Sequence, residues 1–209
     1  MSNPSILSAS TDCAVAILRS GGVIALPTDT LYGISANALD ADAASKVFTV
    51  KGREEFSPLP IFVSDADDIF HYGRNVPDSA VRLAELFWPG KLTIVVRKSE
   101  RISSVVSGGL DTLGMRVPDH PVPREIVRKF GAPITATSAN VSGKPPLTAA
   151  SDVVAELGSR LQLVFDGGAL SPSLPSTVID VTANPPRILR EGAVSPSRIE
   201  KLAGIPLEV

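Results

Sequence analysis

The sequence predicts an α/β protein whose strands form a substantially parallel or mixed sheet. Short apolar runs rich in β-branched residues alternate with amphipathic helical patterns along almost the whole chain, which is typical of strands connected by helices. No Gly/Ser-rich or charged linker divides the 209 residues into two halves, and a single α/β domain commonly has this length. We therefore expect one domain over residues 1–209.

The first half of the chain carries clear helix boundaries. Thr11 is a candidate N-cap for a helix through Leu18, which the Gly21-Gly22 pair ends. Pro77 suits the first turn of a later helix, and Pro89-Gly90 ends that one. In chain order we expect a helix at 11–18, a strand at 23–26, a helix at 41–50, a strand at 61–63, a short helix capped near Ser64 and Asp67, a helix at 77–87 and a strand at 92–96.

The second half repeats the alternation with shorter strands. Gly131 closes one helix, and the apolar run after it leads directly into Ser138-Ala139-Asn140. We expect a strand at 113–117, a helix at 123–130, a strand at 134–137, a helix at 151–161, strands at 163–165, 177–181 and 188–189, and a short final helix from about Ser197.

Composition excludes several classes of protein. Cys13 is the one cysteine, so an intrachain disulfide framework is excluded and a reducing cytoplasm is expected. Lys and Arg number 20 against 22 Asp and Glu, and this balance does not suit a protein that covers a polyanion. The first twenty residues contain Asp12 and no basic segment, unlike a signal peptide. The longest apolar runs are far below the roughly 18 residues of a membrane span.

Polar clusters occur where predicted strands end or begin. Thr28-Asp29-Thr30 follows the first predicted strand, Ser138-Ala139-Asn140 follows a central one, and Ser176-Thr177 opens another. Each cluster alone is more typical of a turn or a helix cap. Ligands of open α/β sheets bind beyond the strand ends, so the three clusters together, with basic residues near them, indicate a binding site.

Three basic segments are candidate anion ligands. Lys51-Gly52-Arg53 places two cations around a glycine, which allows close backbone approach to a phosphate, although a solvated helix end explains it equally well. Arg116 lies in an apolar strand, where it requires a carboxylate or phosphate partner. Arg190 is similar, with a surface pair to Glu191 as the alternative.

Familiar catalytic motifs are missing from the sequence. It contains no GxxxxGK[ST] and no strand-linked GxGxxG, so neither a P-loop nor a Rossmann dinucleotide site is predicted. With two histidines and one cysteine, a His/Cys zinc site and a Ser-His-Asp triad are both improbable. The sequence thus indicates a reaction driven by positioning and charge neutralisation.

Read in order, the motifs resemble the YrdC/Sua5 family of threonylcarbamoyl-adenylate synthases. The resemblance covers about residues 11–203, the expected core, and suggests the minimal form without the extra C-terminal domain of the longer Sua5 type. Its segments are 27–33 (PTDTLYG), 51–53 (KGR), 58–60 (PLP), 89–93 (PGKLT), 114–118 (GMRVP), 138–143 (SANVSG), 176–180 (STVID) and 190–192 (REG).

The resemblance implies a large twisted mixed sheet with helices around a concave, positively charged cavity. It also implies a nucleotidyltransferase that makes threonylcarbamoyl-AMP and pyrophosphate from L-threonine, bicarbonate or CO2, and ATP, usually with Mg2+. A separate transferase complex then uses that product to modify adenosine 37 of tRNA. Members of the family are also described as binding double-stranded RNA, which a net charge of -2 favours only as a weak activity.

The resemblance assigns roles to individual residues. The residues that would bind threonine are Thr30, Arg116, Ser138 and Ser176. The residues that would bind the nucleotide are Lys51, Arg53, Asn140 and Arg190, with Thr112 and Thr148 as further members of the nucleotide shell. The catalytic candidates are Lys51, Arg53, Ser138 and Asn140. Two positions depart from the family pattern. Ser57 stands where many members have a cation, and Phe62 where some have a histidine, so no histidine role is carried over.

Two other functions remain open at this point. One is a carbamoyl-adenylate-forming relative, normally part of a far longer chain with zinc motifs that are missing here. The other is a non-enzymatic module for double-stranded RNA or ribosome assembly, which would need a broad basic surface with exposed aromatic residues.

Overall fold

The computed structural model describes residues 7–52, 57–171 and 173–208. Its helices are α1 (Thr11–Arg19), α2 (Ala41–Lys51), α3 (Asp68–Tyr72), α4 (Asp78–Phe87), α5 (Ser104–Ser107), α6 (Pro121–Phe130), α7 (Ala150–Leu157) and α8 (Pro196–Ala203). Its strands are β1 (Leu7–Ser8), β2 (Ile24–Leu26), β3 (Gly33–Ser35), β4 (Ile61–Phe62), β5 (Leu92–Arg97), β6 (Thr112–Arg116), β7 (Ile134–Thr135), β8 (Thr137–Ser138), β9 (Leu163–Phe165), β10 (Thr177–Asp180) and β11 (Arg187–Arg190).

The predicted α/β class with mixed strand directions is confirmed, but the strands divide into two sheets. One has the order β1-β9-β2-β3-β8 and the other β11-β10-β5-β6-β4-β7. Each contains both parallel and antiparallel pairs. A single strand segment, 134–138, connects them, because β7 pairs with β4 in one sheet and β8 with β3 in the other.

Several element boundaries differ from the predicted ones. Helix α1 begins at Thr11, but the side chain that caps it is Ser10, which accepts a hydrogen bond from the Cys13 amide at 3.3 Å. The predicted helix 151–161 ends at Leu157 and continues as a 3-10 turn over Gly158–Arg160, since glycine weakens a helix and last turns often tighten. The predicted strand 134–137 is interrupted at Ala136, where the chain passes between sheets.

Strand β3 and helix α5 were not predicted. Gly33-Ile34-Ser35 is short and begins with glycine, a residue depleted in strands. It becomes a strand because it pairs antiparallel with β2, with Leu26 opposite Gly33. This hairpin brings the Thr28-Asp29-Thr30 cluster into its connecting loop, so the unpredicted strand helps to position the site.

Two hydrophobic clusters hold the sheets and helices together. In the smaller one, α1 and α6 pack with the first sheet through Leu18, Ile24, Ile126 and Phe165. The larger one surrounds the fully buried Tyr32, whose hydroxyl donates to the Gly168 carbonyl at 2.8 Å and accepts from the Gly167 amide at 3.1 Å. Tyr32 therefore ties the loop after β2 to the loop after β9.

Among the described residues, the longest helix is far too short to cross a bilayer, and none combines the needed length with sufficient apolar character.

Candidate active site

A cavity of about 420 Å³ lies where the two sheets meet, beside the 134–138 segment that connects them. Its volume is within the range of small-molecule sites. The walls include the loop after β2, the segment before β4, strands β5, β6 and β8, the segment just before β10 and the end of β11. The lining residues are Thr28, Thr30, Leu31, Tyr32, Gly33, Pro58, Pro60, Phe62, Thr93, Arg116, Ala136, Thr137, Ser138, Pro146, Pro175, Ser176 and Arg190.

Arg116, at the end of β6, has the anionic partner that the sequence required, and that partner belongs to the same chain. Its Nη2 donates to Asp29 Oδ1, and its Nε donates to the Gly90 carbonyl at 2.7 Å. The guanidinium carbon lies 5.8 Å from the centre of the Phe62 ring. Burial lowers the pKa of Arg116, and the Asp29 carboxylate opposes that shift. Arg116 is therefore buried but paired, with its side chain at the cavity wall.

Ser176 is fixed by two neighbours. Arg190 donates from Nε and Nη2 to the Ser176 carbonyl at 3.2 and 2.8 Å, and Nη2 also reaches the Ser176 hydroxyl at 3.1 Å. The Thr93 and Ser176 hydroxyls share a hydrogen bond of 2.9 Å. Partial burial lowers the pKa of Arg190. The three residues form one connected polar wall of the cavity.

The loop after β2 is shaped by the Thr28 hydroxyl. It donates to the Leu31 carbonyl at 2.7 Å and accepts from the amides of Thr30 and Leu31, each at 3.1 Å. The Thr28 and Thr30 hydroxyls lie 3.0 Å apart. Such a side-chain turn is the ordinary role of threonine after a strand, and here it also places the Thr30 side chain in the cavity wall.

Lys51 is only 3% exposed, so the alternative of a solvated helix end is wrong for this residue. Its ammonium donates to the carbonyls of Ser138 and Asn140 and, at 3.0 Å, to Asn140 Oδ1. Asn140 in turn accepts from the Ser138 hydroxyl at 2.5 Å and donates to the carbonyls of Val141 and Lys144. Lys51 and Asn140 thus hold the end of β8, where Ser138 lines the cavity.

The remaining predicted site residues are more distant or not described. Arg53 lies outside the described residues. Thr112 begins β6, four residues and about 13 Å of extended chain from Arg116, and is not among the residues that line the cavity. Thr148 is also outside the lining, although its carbonyl accepts from the Leu170 amide at 2.8 Å. Phe62 lines the cavity and flanks Arg116.

Sequence analysis assigned no role to Asp29 or Thr93. Asp29 stands inside the Thr28-Asp29-Thr30 cluster. Thr93 is a polar residue within the predicted apolar strand 92–96, and it is only 3% exposed. A buried polar residue within a strand needs a partner, and this is the signal that could have identified Thr93. Asp29 could have been identified only by matching its carboxylate with the guanidinium of Arg116, which lies in an apolar strand and needs an anionic partner.

These features define the class of the protein. It is an α/β protein with a cavity of small-molecule size between its two sheets. The wall of this cavity combines hydroxyl groups with the guanidinium groups of Arg116 and Arg190, a surface suited to a polar ligand that carries negative charge.

The family model for Sua5, YciO and YrdC, described as "Telomere recombination", matches residues 16–192. The chain therefore belongs to the Sua5/YciO/YrdC family.

Similarity to named relatives extends along most of the chain. A threonylcarbamoyl-AMP synthase of Pyrococcus abyssi (strain GE5 / Orsay) is 40% identical over 191 residues, which are 91% of this chain and 56% of that protein. A putative threonylcarbamoyl-AMP synthase of Mycobacterium tuberculosis (strain ATCC 25618 / H37Rv) is 35% identical over 192 residues, 92% of this chain and 88% of that protein. The crystal structure of P. abyssi Sua5 complexed with L-threonine matches with a TM-score of 0.91 at 39% identity, over 95% of this chain and 58% of that one. This chain thus spans little more than half the length of the P. abyssi synthase and of the P. abyssi Sua5 structure.

Proposed function

We propose that this chain catalyses the formation of threonylcarbamoyl-AMP and pyrophosphate from L-threonine, bicarbonate or CO2, and ATP. The observation that carries the proposal is the cavity of about 420 Å³. Its lining brings the Arg116 guanidinium together with the side chains of Thr30, Ser138 and Ser176. Support comes from relatives named threonylcarbamoyl-AMP synthase and from the Sua5 structure that contains L-threonine.

In this proposal the cavity binds threonine at the Arg116 side. Arg116 faces the substrate carboxylate, because a guanidinium offers parallel donors that match the two carboxylate oxygens. The hydroxyls of Thr30, Ser138 and Ser176 pair with the remaining polar groups of the amino acid. The apolar faces of Pro58 and Pro60, which also line the cavity, are suited to its methyl group.

The nucleotide is assigned to the other predicted basic residues. Arg53 and Arg190 are the proposed cations for the phosphates, and Thr148 stays a predicted neighbour of the nucleotide. We assign Lys51 and Asn140 a different contribution, since their hydrogen bonds hold the end of β8, where Ser138 lies. Thr112, like Thr148, stays a predicted member of the nucleotide shell, although neither residue lines the cavity.

The reaction requires positioning and charge neutralisation more than a strong side-chain base. The threonine amine adds to the carbon of CO2 and loses a proton, which gives N-carboxythreonine. An oxygen of the new carbamate group then attacks the α-phosphorus of ATP and forms a new P–O bond. The bond from that phosphorus to the bridging oxygen breaks, and pyrophosphate leaves with the electron pair. Fixed cations stabilise the charge on the phosphoryl oxygens. Mg2+ enters the proposal as the counter-ion of the ATP phosphates, because this ion is commonly bound through substrate phosphates.

We further propose a cytoplasmic location and a receiving partner. The product would pass to a tRNA threonylcarbamoyl transferase complex, which uses it at adenosine 37. Direct contact of this chain with tRNA or double-stranded RNA is expected to be weak, because its net charge of -2 provides little general attraction to a polyanion.

Mass spectrometry of the products tests the proposed activity. The chain is incubated with ATP, Mg2+, bicarbonate and L-threonine, and each component is omitted in turn. We expect threonylcarbamoyl-AMP and an equal amount of pyrophosphate only in the complete mixture. An adenylate that forms from carbamoyl phosphate in place of threonine and bicarbonate would favour the carbamoyl-adenylate alternative, and the formation of neither product would reject both.

A further inference from the structure

Asp29 forms a deeply buried ion pair with Arg116 at the cavity wall. The side chains of Arg116 and Asp29 are 5% and 8% exposed, so this is not a surface salt bridge. Asp29 is held between Thr28 and Thr30, whose hydroxyl and amide contacts define the loop. The carboxylate therefore occupies a position set by the backbone turn and not by a flexible surface side chain.

The contacts of Arg116 orient its guanidinium. Nε is bonded to the Gly90 carbonyl, Nη2 is bonded to Asp29, and the Phe62 ring flanks the group. A guanidinium carries further N–H donors beyond these two bonds, and Arg116 lines the cavity. The arrangement thus anchors one part of the planar group and leaves donors for a ligand.

The Asp29 carboxylate uses only one of its two oxygens for hydrogen bonds with the described residues. Oδ2 is buried and has no hydrogen-bond partner among the described residues. A buried, unsatisfied carboxylate oxygen is unfavourable, and a buried ion pair is not in general a net source of stability, because desolvation of both charges offsets their attraction. The pair is better explained by what Asp29 does to Arg116.

We infer that Asp29 is a positioning residue, which fixes the Arg116 guanidinium in the orientation that receives the α-carboxylate of the amino-acid substrate. This inference rests on the proposed function. Asp29 acts through Arg116, so losing it affects the binding of the carboxylate-bearing substrate and not the binding of the nucleotide.

Calorimetric titration of threonine and, separately, of ATP tests this role in the full chain. Asp29→Ala removes the acceptor for Nη2, and we expect the threonine Kd to rise about 10-fold or more. Asp29→Asn keeps the shape and a neutral acceptor, which bonds more weakly than a carboxylate, so a rise of about 3-fold is expected. The ATP Kd should stay within about 2-fold in both variants.

Asp119→Asn is the matched control. Asp119 is exposed and acts on Arg116 only through its charge, so this variant removes an equal charge without removing the contact. We expect its threonine Kd to stay within about 2-fold of the wild-type value, since exposed charges are well screened. An increase equal to that of Asp29→Asn would overturn the inference in favour of a general charge effect.

A double-mutant comparison separates positioning from a general structural role. In an Arg116→Lys background the planar fork is already lost, so Asp29→Asn should add little to the threonine Kd. Full additivity, an unchanged threonine Kd in Asp29→Asn, or equal losses of threonine and ATP binding would each overturn the inference. If Asp29→Ala does not fold, the isosteric Asp29→Asn variant decides alone. Absence of threonine binding by the wild-type chain would reject the proposed function itself, and the inference with it.

Discussion

Lys51 and Arg116 were both predicted as cations for ligands, and their surroundings differ. The Lys51 ammonium contacts carbonyl oxygens and the Asn140 side chain, whereas the Arg116 guanidinium contacts a carboxylate at the cavity wall. The Lys-Gly-Arg spacing predicted that Lys51 binds a phosphate, and this role stays a prediction. The spacing could not show that the ammonium contacts residues 138–140, because those partners lie 87 to 89 positions away in the chain.

Replacement of Lys51 is expected to destabilise the chain. In Lys51→Met the carbonyls of Ser138 and Asn140 lose their charged donor in a buried place, and the free energy of unfolding should fall by about 1–3 kcal/mol. Denaturant unfolding measures this loss. The control is Lys46→Met on the same helix, where the ammonium donates to the Gly21 carbonyl at the exposed surface, and a change within about 0.5 kcal/mol is expected. Equal effects of the two variants would contradict the structural role of Lys51.

At the scale of elements, caps and close backbone contacts decide where helices and strands end. The predicted helix 123–130 begins earlier, at Pro121, because His120 provides the cap: its Nδ1 accepts from the Val122 amide at 3.2 Å. Histidine is not a common N-cap residue, so the helix pattern alone placed the start too late. The cap also makes this helix sensitive to the protonation of one imidazole.

The stability of the chain should decrease at mildly acidic pH because of His120. Burial lowers the pKa of His120, and the nearby carboxylates of Asp29 and Asp119 oppose that shift. The folded state therefore binds this proton less readily than the unfolded state, where the pKa is about 6.5. Stability is present above that value and is lost as the pH falls through it toward the lower folded pKa.

Comparison of urea midpoints at pH 8 and pH 5.5 measures this dependence. His120→Asn replaces the cap with a group that does not titrate, so it should lose less stability over this interval than the wild type. His71→Asn removes the other histidine, which is exposed, and should follow the wild type. An identical pH dependence of the wild type and His120→Asn would contradict the prediction.

Gly192 allows β11 to leave the sheet close to the start of β10. A Cβ at this position would lie 2.3 Å from the Pro175 carbonyl oxygen and 2.7 Å from the Thr177 nitrogen, both backbone atoms. Gly192→Ala must therefore displace the segment that carries Ser176. We expect a loss of about 1–3 kcal/mol in the free energy of unfolding and weaker threonine binding, measured by denaturation and calorimetry. Glu191→Ala, at the exposed neighbouring position, should change neither the free energy of unfolding nor threonine binding. A Gly192→Ala variant with unchanged stability and threonine binding would contradict the prediction and show that the backbone accommodates the extra methyl group.

At the scale of the whole molecule, the cavity exists because two sheets share one strand segment. Residues from the loop after β2, from β6 and from the segment just before β10 meet beside segment 134–138, although they are far apart in the chain. The expectation of a positively charged cavity stays a prediction, but the two arginines in its lining are consistent with it. Selectivity for the amino acid should depend on this shared wall.

The cavity should prefer threonine to serine and reject valine more strongly. Serine lacks only the methyl group, and a missing methyl in a pocket lowers efficiency about 10- to 200-fold. Valine keeps the shape but leaves buried hydroxyl partners such as those of Thr30 and Ser176 unsatisfied. Pyrophosphate release with each amino acid at matched ATP and bicarbonate measures the order. Turnover of valine equal to that of serine would indicate a pocket that selects by shape alone.

The sequence by itself determined the α/β class, most helix and strand positions, the polar clusters at strand ends and the family resemblance. These properties depend on local hydrophobic periodicity, turn residues and motif order, which are all present in the linear chain. Tertiary structure decided the division into two sheets, the pairing of Asp29 with Arg116 and the burial of Lys51. Asp29 and Arg116 are 87 positions apart, and so are Lys51 and Ser138. The division into two sheets depends on which strands become neighbours. Strand register and sheet packing set such contacts, and a local pattern contains no information about them.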